Sequence, residues 1–162
     1  MFIEKVSGED QIEIIVDLAH EIWNEHFIAI IGKAQVDYML ERFQSKKAIV
    51  EQIGNGFLYY LIKSNDDYIG YMAVLPKENK LFLSKLYIAS AERGKGYGRE
   101  AIDFLEKLAF EKRLKIISLT VNKNNSATIE MYKKLGFETQ GSIVQNIGNG
   151  FEMDDYKMQK NV

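Results

Sequence analysis

Apolar side chains recur at two different periods along this chain. From Glu9 to Trp23 they fall three or four residues apart, at Ile12, Ile15, Val16, Ala19, Ile22 and Trp23, which predicts an amphipathic helix with Ser7 as its N-cap. The same period carries Val36, Met39, Leu40 and Phe43 in the stretch Gln35 to Ser45, and a third helix is predicted from Ser45 to Gly54, where glycine stops it. A short strand around Phe2 to Val6 precedes these helices. At Phe57 the pattern changes. Two β-rich apolar runs, Phe57 to Lys63 and Tyr68 to Leu75, flank Ser64, Asn65, Asp66 and Asp67, a set of turn formers that predicts a hairpin. A third run, Leu81 to Ile88, follows Pro76, the one proline, and a loop of lysines and asparagine.

Beyond Ile88 the sequence reads ERGKGYGREA from Glu92 to Ala101, with Gly94, Gly96 and Gly98 set between basic side chains. Helical spacing then returns at Ala101, Ile102, Leu105, Leu108 and Ala109, with Asp103 one turn before Lys107 and able to pair with it. KIISLTV, residues 115–121, reads as a buried strand; NNSATIEMYKKLG, residues 124–136, reads as a helix with asparagine at its start and glycine at its stop. Two further strands close the chain. No stretch differs enough in composition to serve as a linker, so strands and helices in this order predict a single domain over residues 1–162 built on a mixed α/β sheet. The pentapeptide IGNGF occurs twice, at Ile53 to Phe57 and Ile147 to Phe151; two copies make no solenoid, and both read as glycine–asparagine turns before strands.

Composition narrows the chemistry. The chain has no cysteine, hence no disulfide framework, thiolate metal cluster or cysteine nucleophile, which suits a reducing cytoplasm. Its net charge is −2, with acidic and basic residues interspersed, and this argues against a general nucleic-acid binder. Phe57, Tyr59, Tyr60 and Tyr71 are accounted for by core packing rather than base stacking. The opening MFIEKVSGED is acidic and has no long apolar run, so neither a signal peptide nor a membrane span is expected there, and the chain reads as a cytoplasmic protein with a small ligand. His20 and His26, six residues apart, share no helical face, and no metal is expected.

The glycine loop is where the chemistry concentrates. A Walker loop requires lysine and then serine or threonine after the last glycine, but Gly98 is followed by Arg99 and Glu100. Rossmann and kinase loops require G-x-G-x-x-G, and no glycine stands at 99. What remains is a strand delivering the chain to a helix start, where unpaired amides, the positive end of the helix dipole, Arg93 and Lys95 favour an anion, with a pyrophosphate the best match.

Two motifs carry a family resemblance. Arg93-Gly94-Lys95-Gly96-Tyr97-Gly98 resembles the Arg/Gln-x-x-Gly-x-Gly/Ala signature of the GCN5-related N-acetyltransferase (GNAT) superfamily, and NNSATIEMYKKLGF resembles its second signature, an asparagine followed seven residues later by tyrosine and then by Gly-Phe. The resemblance is most specific between Leu81 and Phe137; EIWNEHF and YMLERF are more weakly similar to bacterial polyamine acetyltransferases of the PaiA type. It implies an α/β (α+β) GNAT fold: a mixed, mostly antiparallel central sheet of about six to seven strands, with splayed central strands, flanked by about four to five helices.

It also implies a division of labour. The backbone of Leu86, Tyr87 and Ile88 would hold the pantetheine arm of acetyl-coenzyme A (acetyl-CoA), one of these strand amides serving as oxyanion donor. Amides of Gly94, Lys95, Gly96, Tyr97, Gly98 and Arg99 would hold the pyrophosphate, with Arg93 and Lys95 assisting; Asn125 would fix the cofactor arm, and Lys134 would reach the adenosine end or stay solvated. Tyr132 would be the acid that protonates the leaving thiolate, and the amine would attack directly, without an acyl-enzyme. An alkylamine with a pKa near 10 is neutral in only about one molecule in a thousand at pH 7, so its proton needs a base. Some relatives place a glutamate on the strand before the loop or on the next strand; Phe82, Ser84 and Thr120 stand there, and the base is unassigned. Trp23, Glu25, His26, Glu152 and Asp154, together with Asp155, are the candidates for the acceptor pocket. The reading is an acetyl-CoA-dependent N-acetyltransferase acting on a primary amine of a small molecule, polyamines first; the alternatives are a protein or peptide amine, or a non-catalytic acyl-CoA-binding module. Exposed sheet edges at the terminal strand pair leave room for a homodimer.

Overall fold

The computed structural model describes residues 1–162 throughout. Strand β1 (Phe2–Lys5) is followed by helices α1 (Glu9–His26), α2 (Ile28–Ile31), α3 (Lys33–Phe43) and α4 (Lys46–Gly54). Strands β2 (Leu58–Ser64), β3 (Asp67–Lys77) and β4 (Lys80–Ile88) come next, then a 3-10 turn (Ser90–Glu92) and α5 (Tyr97–Glu111), and finally β5 (Ile116–Asn122), α6 (Ser126–Lys134), β6 (Glu138–Gly148) and β7 (Phe151–Asn161). The strands form one sheet in the order β1-β2-β3-β4-β5-β7-β6, antiparallel everywhere except between β4 and β5.

Alternation along the strands separates two cores. In β2, Tyr60 and Ile62 join β3's Met72 and Val74 under α5 and α6, while Tyr59 and Leu61 join Tyr71 and Ala73 under α1, α3 and α4. The sheet is thus the middle of three layers. Side chains three and four apart on α1 seal one face: Ile12, Ile15, Ala19, Ile22 and Trp23 are buried.

Several local expectations need correction. The N-cap of α1 is Gly8 rather than Ser7; the Gln11 side chain reaches back from the first turn and its amide oxygen accepts from both Ser7 N (2.6 Å) and Gly8 N (3.1 Å). The one-turn α2 between α1 and α3 brings the α-helices to six, and α1 itself continues three residues past Trp23. The expected lysine-rich loop after Pro76 is a turn at Glu78 and Asn79, with Glu78 at φ +56°. Pro76 is inside β3, opposite Leu81 of β4, but β2 pairs no further than Val74, so no β2 carbonyl lacks an amide. Asp103 and Lys107 form no ion pair; the helix is tied instead by Glu106 to Lys160 of β7 (2.5 Å).

One irregularity in β4 matters most. Leu83 pairs with Val74 and Lys85 with Ala73, so Ser84 is an extra residue in β4. A one-residue slip exchanges faces. Leu81 and Leu83 face the α5–α6 core, whereas beyond the bulge Lys85 and Tyr87 turn to the α1–α4 side, where Tyr87 meets the rings of Trp23, Phe27 and Tyr71. The parallel pairing of β4 with β5 ends at the same place: Lys80 to Leu83 match Ile116 to Leu119, and nothing beyond pairs. β5 nonetheless continues beside β7 as far as Asn122 opposite Asp155. The two central strands therefore part between Leu86–Ile88 and Thr120–Asn122.

Candidate active site

The parted strands open a cleft of about 980 Å³. Its floor and near wall come from β4, with Leu86, Tyr87 and Ile88, which stay bonded to β3 on their other edge. At one end lies the glycine loop. Gly94 (φ +78°) and Gly96 (φ +86°, the N-cap of α5) adopt left-handed backbone that only glycine takes cheaply. The consequence is electrostatic. None of the amides of Gly94, Lys95, Gly96, Tyr97, Gly98 and Arg99 donates to a protein acceptor; the first that does is Glu100, to the Gly96 carbonyl at 3.1 Å. Gly98 also lets the helix start approach α6, because a Cβ there would stand 2.7 Å from Met131 Sδ.

Arg93 belongs to this end but is already engaged. Its Nε donates to the Ile88 carbonyl (3.2 Å), and a terminal nitrogen donates to His26 Nδ1 (2.8 Å). With Nδ1 accepting, the His26 proton sits on Nε2, which donates to Asn125 Oδ1 at 3.1 Å. Burial and the Arg93 charge both pull the His26 pKa below its ordinary value, keeping the ring neutral. The end of α1, the glycine loop and the start of α6 are joined by this chain. Asn125 therefore spends its side-chain oxygen on His26 and makes no side-chain cap on α6.

Tyr132 lies on the opposite wall, buried against Phe137, with its hydroxyl making no hydrogen bond within the protein. Burial raises its pKa well above the ordinary tyrosine value, so the hydroxyl stays protonated at neutral pH. Tyr87 is raised too, by burial first and then by the nearby Tyr132 and Asp155. Asp155 is 4 % exposed, borders the cleft, and has its Oδ1 buried without a partner. Burial, with Asp154 beside it, pushes this carboxyl up to about 6 against the opposing pull of Lys123 and Thr120.

The structure brings most of the sequence-derived site residues together. Trp23, His26, Leu86, Tyr87, Ile88, Arg93, Gly94, Gly96, Tyr97, Gly98, Arg99, Asn125, Tyr132 and Lys134 all border the cleft. Lys95, Glu25, Glu152 and Asp154 do not. Lys95 pairs with Glu92 at 3.0 Å and Asp154 with Lys123 at 2.8 Å, both at the surface. Alternation along β7 explains the last pair: Met153 and Asp155 turn to the cleft, so Glu152 and Asp154 turn away.

Lys85 was not singled out from sequence. It is 6 % exposed, and its Nζ donates to the Phe43 carbonyl (2.6 Å), Gln52 Oε1 (3.0 Å) and the Tyr59 hydroxyl (2.6 Å). Burial lowers its pKa to about 7. The available signal was a lone charge inside the otherwise apolar LFLSKLYI. The far end of the cleft is roofed by the β6–β7 turn, which docks on α3: Tyr38 donates to the Ile147 carbonyl (2.6 Å), and Gln35 donates to the Glu152 carbonyl (3.0 Å).

A three-layer α/β sheet whose central strands part beside an unpaired helix start has an elongated cleft with an anion-favouring end. Residues 16–137 match the acetyltransferase (GNAT) family, and the chain belongs to that family. The family is one of acetyltransferases. The fold is also that of the PaiA N-acetyltransferase of Thermoplasma acidophilum, solved in complex with coenzyme A (22% identity, all of both chains, TM-score 0.81), and of the ribosomal-protein-alanine N-acetyltransferase of Brucella melitensis (23% identity, all of both chains, TM-score 0.72). In sequence, 109 residues are 30% identical to the beta-lysine N(6)-acetyltransferase of Methanosarcina mazei, covering 64% of this chain but only 40% of that protein.

Proposed function

We propose that this protein transfers the acetyl group of acetyl-CoA directly to a primary amine of a small molecule. The observation that carries the reading is the run of unpartnered amides from Gly94 to Arg99, beside strands that part at Leu86. When bound, acetyl-CoA supplies a thioester, an electrophilic carbonyl with a thiolate as leaving group. The amides of residues 94–99 hold its diphosphate at the positive end of α5, and Arg99 and Lys134 add charge at the mouth. Leu86, Tyr87 and Ile88 present strand edge to the pantetheine arm, and an amide among them faces the developing oxyanion. Asn125 orients that arm while His26 holds Asn125. Tyr132 gives its proton to the departing thiolate; its high pKa ensures that a proton is there to give.

The acceptor end supports a small molecule over a peptide, because the β6–β7 turn closed against α3 leaves no open trough across it. Trp23 borders this end, whereas Glu25, Glu152 and Asp154 lie outside the cleft. The lining itself carries both signs, Arg42 and Lys85 with Glu51 and Asp155. Such a mixture suits an amine that also bears an anionic group at least as well as an all-cationic polyamine. That the partial relative is named for beta-lysine acetylation points the same way. The test is release of coenzyme A thiol from acetyl-CoA across polyamines, diamino acids, aminoglycosides and alanine-led peptides. Turnover confined to the peptides would overturn the small-molecule reading, and tight acetyl-CoA binding with no turnover of any amine would leave a binding module.

A further inference from the structure

We infer that Asp155 is the catalytic base, the carboxylate that receives the acceptor ammonium and removes its proton; this rests on the acetyltransferase reading above. The positions where a base on β4 or β5 would stand hold Phe82, Ser84 and Thr120, none of which can take a proton at neutral pH. Asp155 reaches the same space from beyond β5. It stands on β7, paired with Asn122 of β5 at the level where β4 has left β5, and both side chains line the cleft that opens there. Its Oδ1 is buried without a hydrogen-bond partner, and Asp155 lies close enough to Tyr87 to raise that phenol's pKa. A buried carboxylate left unpaired is costly, and a cationic ligand removes that cost.

The groups facing Asp155 are consistent with such a role. Tyr87 approaches from β4, Thr120 from β5, Lys123 from just beyond β5, and Asp154 flanks it on β7. Lys123 is held by Asp154 at 2.8 Å and lies over the Tyr156 ring; its charge offsets part of the rise in the Asp155 pKa, but it makes no ion pair with Asp155. Tyr132 stands on the wall facing Tyr87 and also raises its pKa. The carboxyl's ordinary value is raised to about 6, which leaves it ionised at neutral pH yet basic enough to hold a proton transiently.

The balance is complete with these groups. The amine nitrogen forms its bond to the acetyl carbonyl carbon, and the carbon–sulfur bond breaks. The ammonium loses two protons on becoming an amide: one passes to Asp155 and on to solvent, the other ends on the thiolate, delivered through Tyr132.

The test is Asp155→Asn, which keeps the shape and removes the charge. Turnover is measured with whichever of spermidine, lysine and an alanine-led peptide the wild type acetylates fastest, and acetyl-CoA affinity is measured by calorimetry. The expected result is a loss of kcat/KM on the order of 10²-fold, acetyl-CoA affinity at neutral pH within twofold, and disappearance of the acidic limb expected near pH 6 in the wild-type kcat at saturating acetyl-CoA, where the His26-linked loss of affinity does not enter. A purely structural Asp155 would not carry that limb. Wild-type turnover and profile in Asp155→Asn would overturn the assignment while leaving the acetyltransferase reading intact; failure of the wild type to bind acetyl-CoA would sink the reading itself. Should the variant not fold, the wild-type profile decides alone, because a rate flat through pH 6 excludes this base.

Discussion

The two ends of the cleft are built by different means. At the proposed cosubstrate end the groups on offer are mostly backbone: the unpaired amides 94–99 and the edge of residues 86–88 that β5 has left, with Asn125 and Tyr132 bordering the same cleft. At the acceptor end they are side chains from α1, α3, α4, β4 and β7, among them Trp23, Arg42, Glu51, Lys85 and Asp155. Backbone contacts depend on where the chain runs, and glycine spacing announces that. Side-chain contacts depend on which residues the assembled layers bring together. A site of the first kind tolerates side-chain truncation and fails when its glycines are filled; a site of the second kind behaves in the opposite way.

Substitutions can separate the two ends. The largest effect is expected from Tyr132→Phe, which keeps the ring and removes the proton: turnover should fall on the order of 10²-fold or more, with acetyl-CoA affinity unchanged by calorimetry. Equal turnover would take the acid away from Tyr132. Next comes Gly96→Val. No atom lies within 4 Å of a Cβ at that position, so the fold has room, but φ +86° strains a branched residue and the side chain stands where the diphosphate approaches. Acetyl-CoA affinity should fall roughly 10- to 100-fold, from about 1–3 kcal/mol of backbone strain, with turnover at saturation little changed; intact affinity would refute the loop assignment.

A smaller effect tests the link between the ends. His26→Ala removes the bridge from Arg93 to Asn125 and should weaken acetyl-CoA binding about fivefold, the worth of a hydrogen bond of about 1 kcal/mol. The same link is pH-sensitive. The folded pKa of His26 lies below its ordinary 6.5, so the arrangement is intact above that value. It is lost as pH falls through the lowered value, when Nδ1 becomes a donor facing Arg93. Affinity in the wild type should therefore drop under acid conditions, and His26→Ala should not show that drop.

The smallest change is one of slope. Lys85 is held at about 7 when folded and returns to 10.5 when unfolded, so its contribution to stability is present above 10.5, and it is lost as pH falls toward 7. Thermal melts of Lys85→Met should rise less between neutral and alkaline pH than wild-type melts. A parallel rise in both would mean that Lys85 is not desolvated as the structure has it.

Much of this architecture was legible beforehand. Periods of three and four gave α1, α3 and α4, the Ser64–Asp67 turn gave the β2–β3 hairpin, and the loop from Arg93 to Gly98 gave the helix start, all from interactions between near neighbours in the chain. The one-turn α2 has no amphipathic period long enough to see, and the path of β3 through Pro76 depends on how far β2 extends. Within the site, the cosubstrate end was visible in its motifs. The acceptor end was visible only as a set of charges without addresses: Glu152, Asp154 and Asp155 are adjacent in sequence terms, and only the pairing of β7 with β5 turns the last of them inward.

The two copies of IGNGF show where that boundary lies. By itself the pentapeptide determines that the backbone will turn, because Gly56, Asn149 and Gly150 reach positive φ. At Ile53 to Phe57 the turn ends α4, with the amides of Asn55, Gly56 and Phe57 returning to carbonyls of the last helical turn. At Ile147 to Phe151 it joins β6 to β7, and Tyr38 of α3 fastens it over the acceptor end. Identical local preferences yield a helix stop in one place and a hairpin in the other. The choice belongs to the partners that satisfy the freed backbone groups: helical carbonyls in the first copy, a neighbouring strand and a tyrosine 109 residues away in the second.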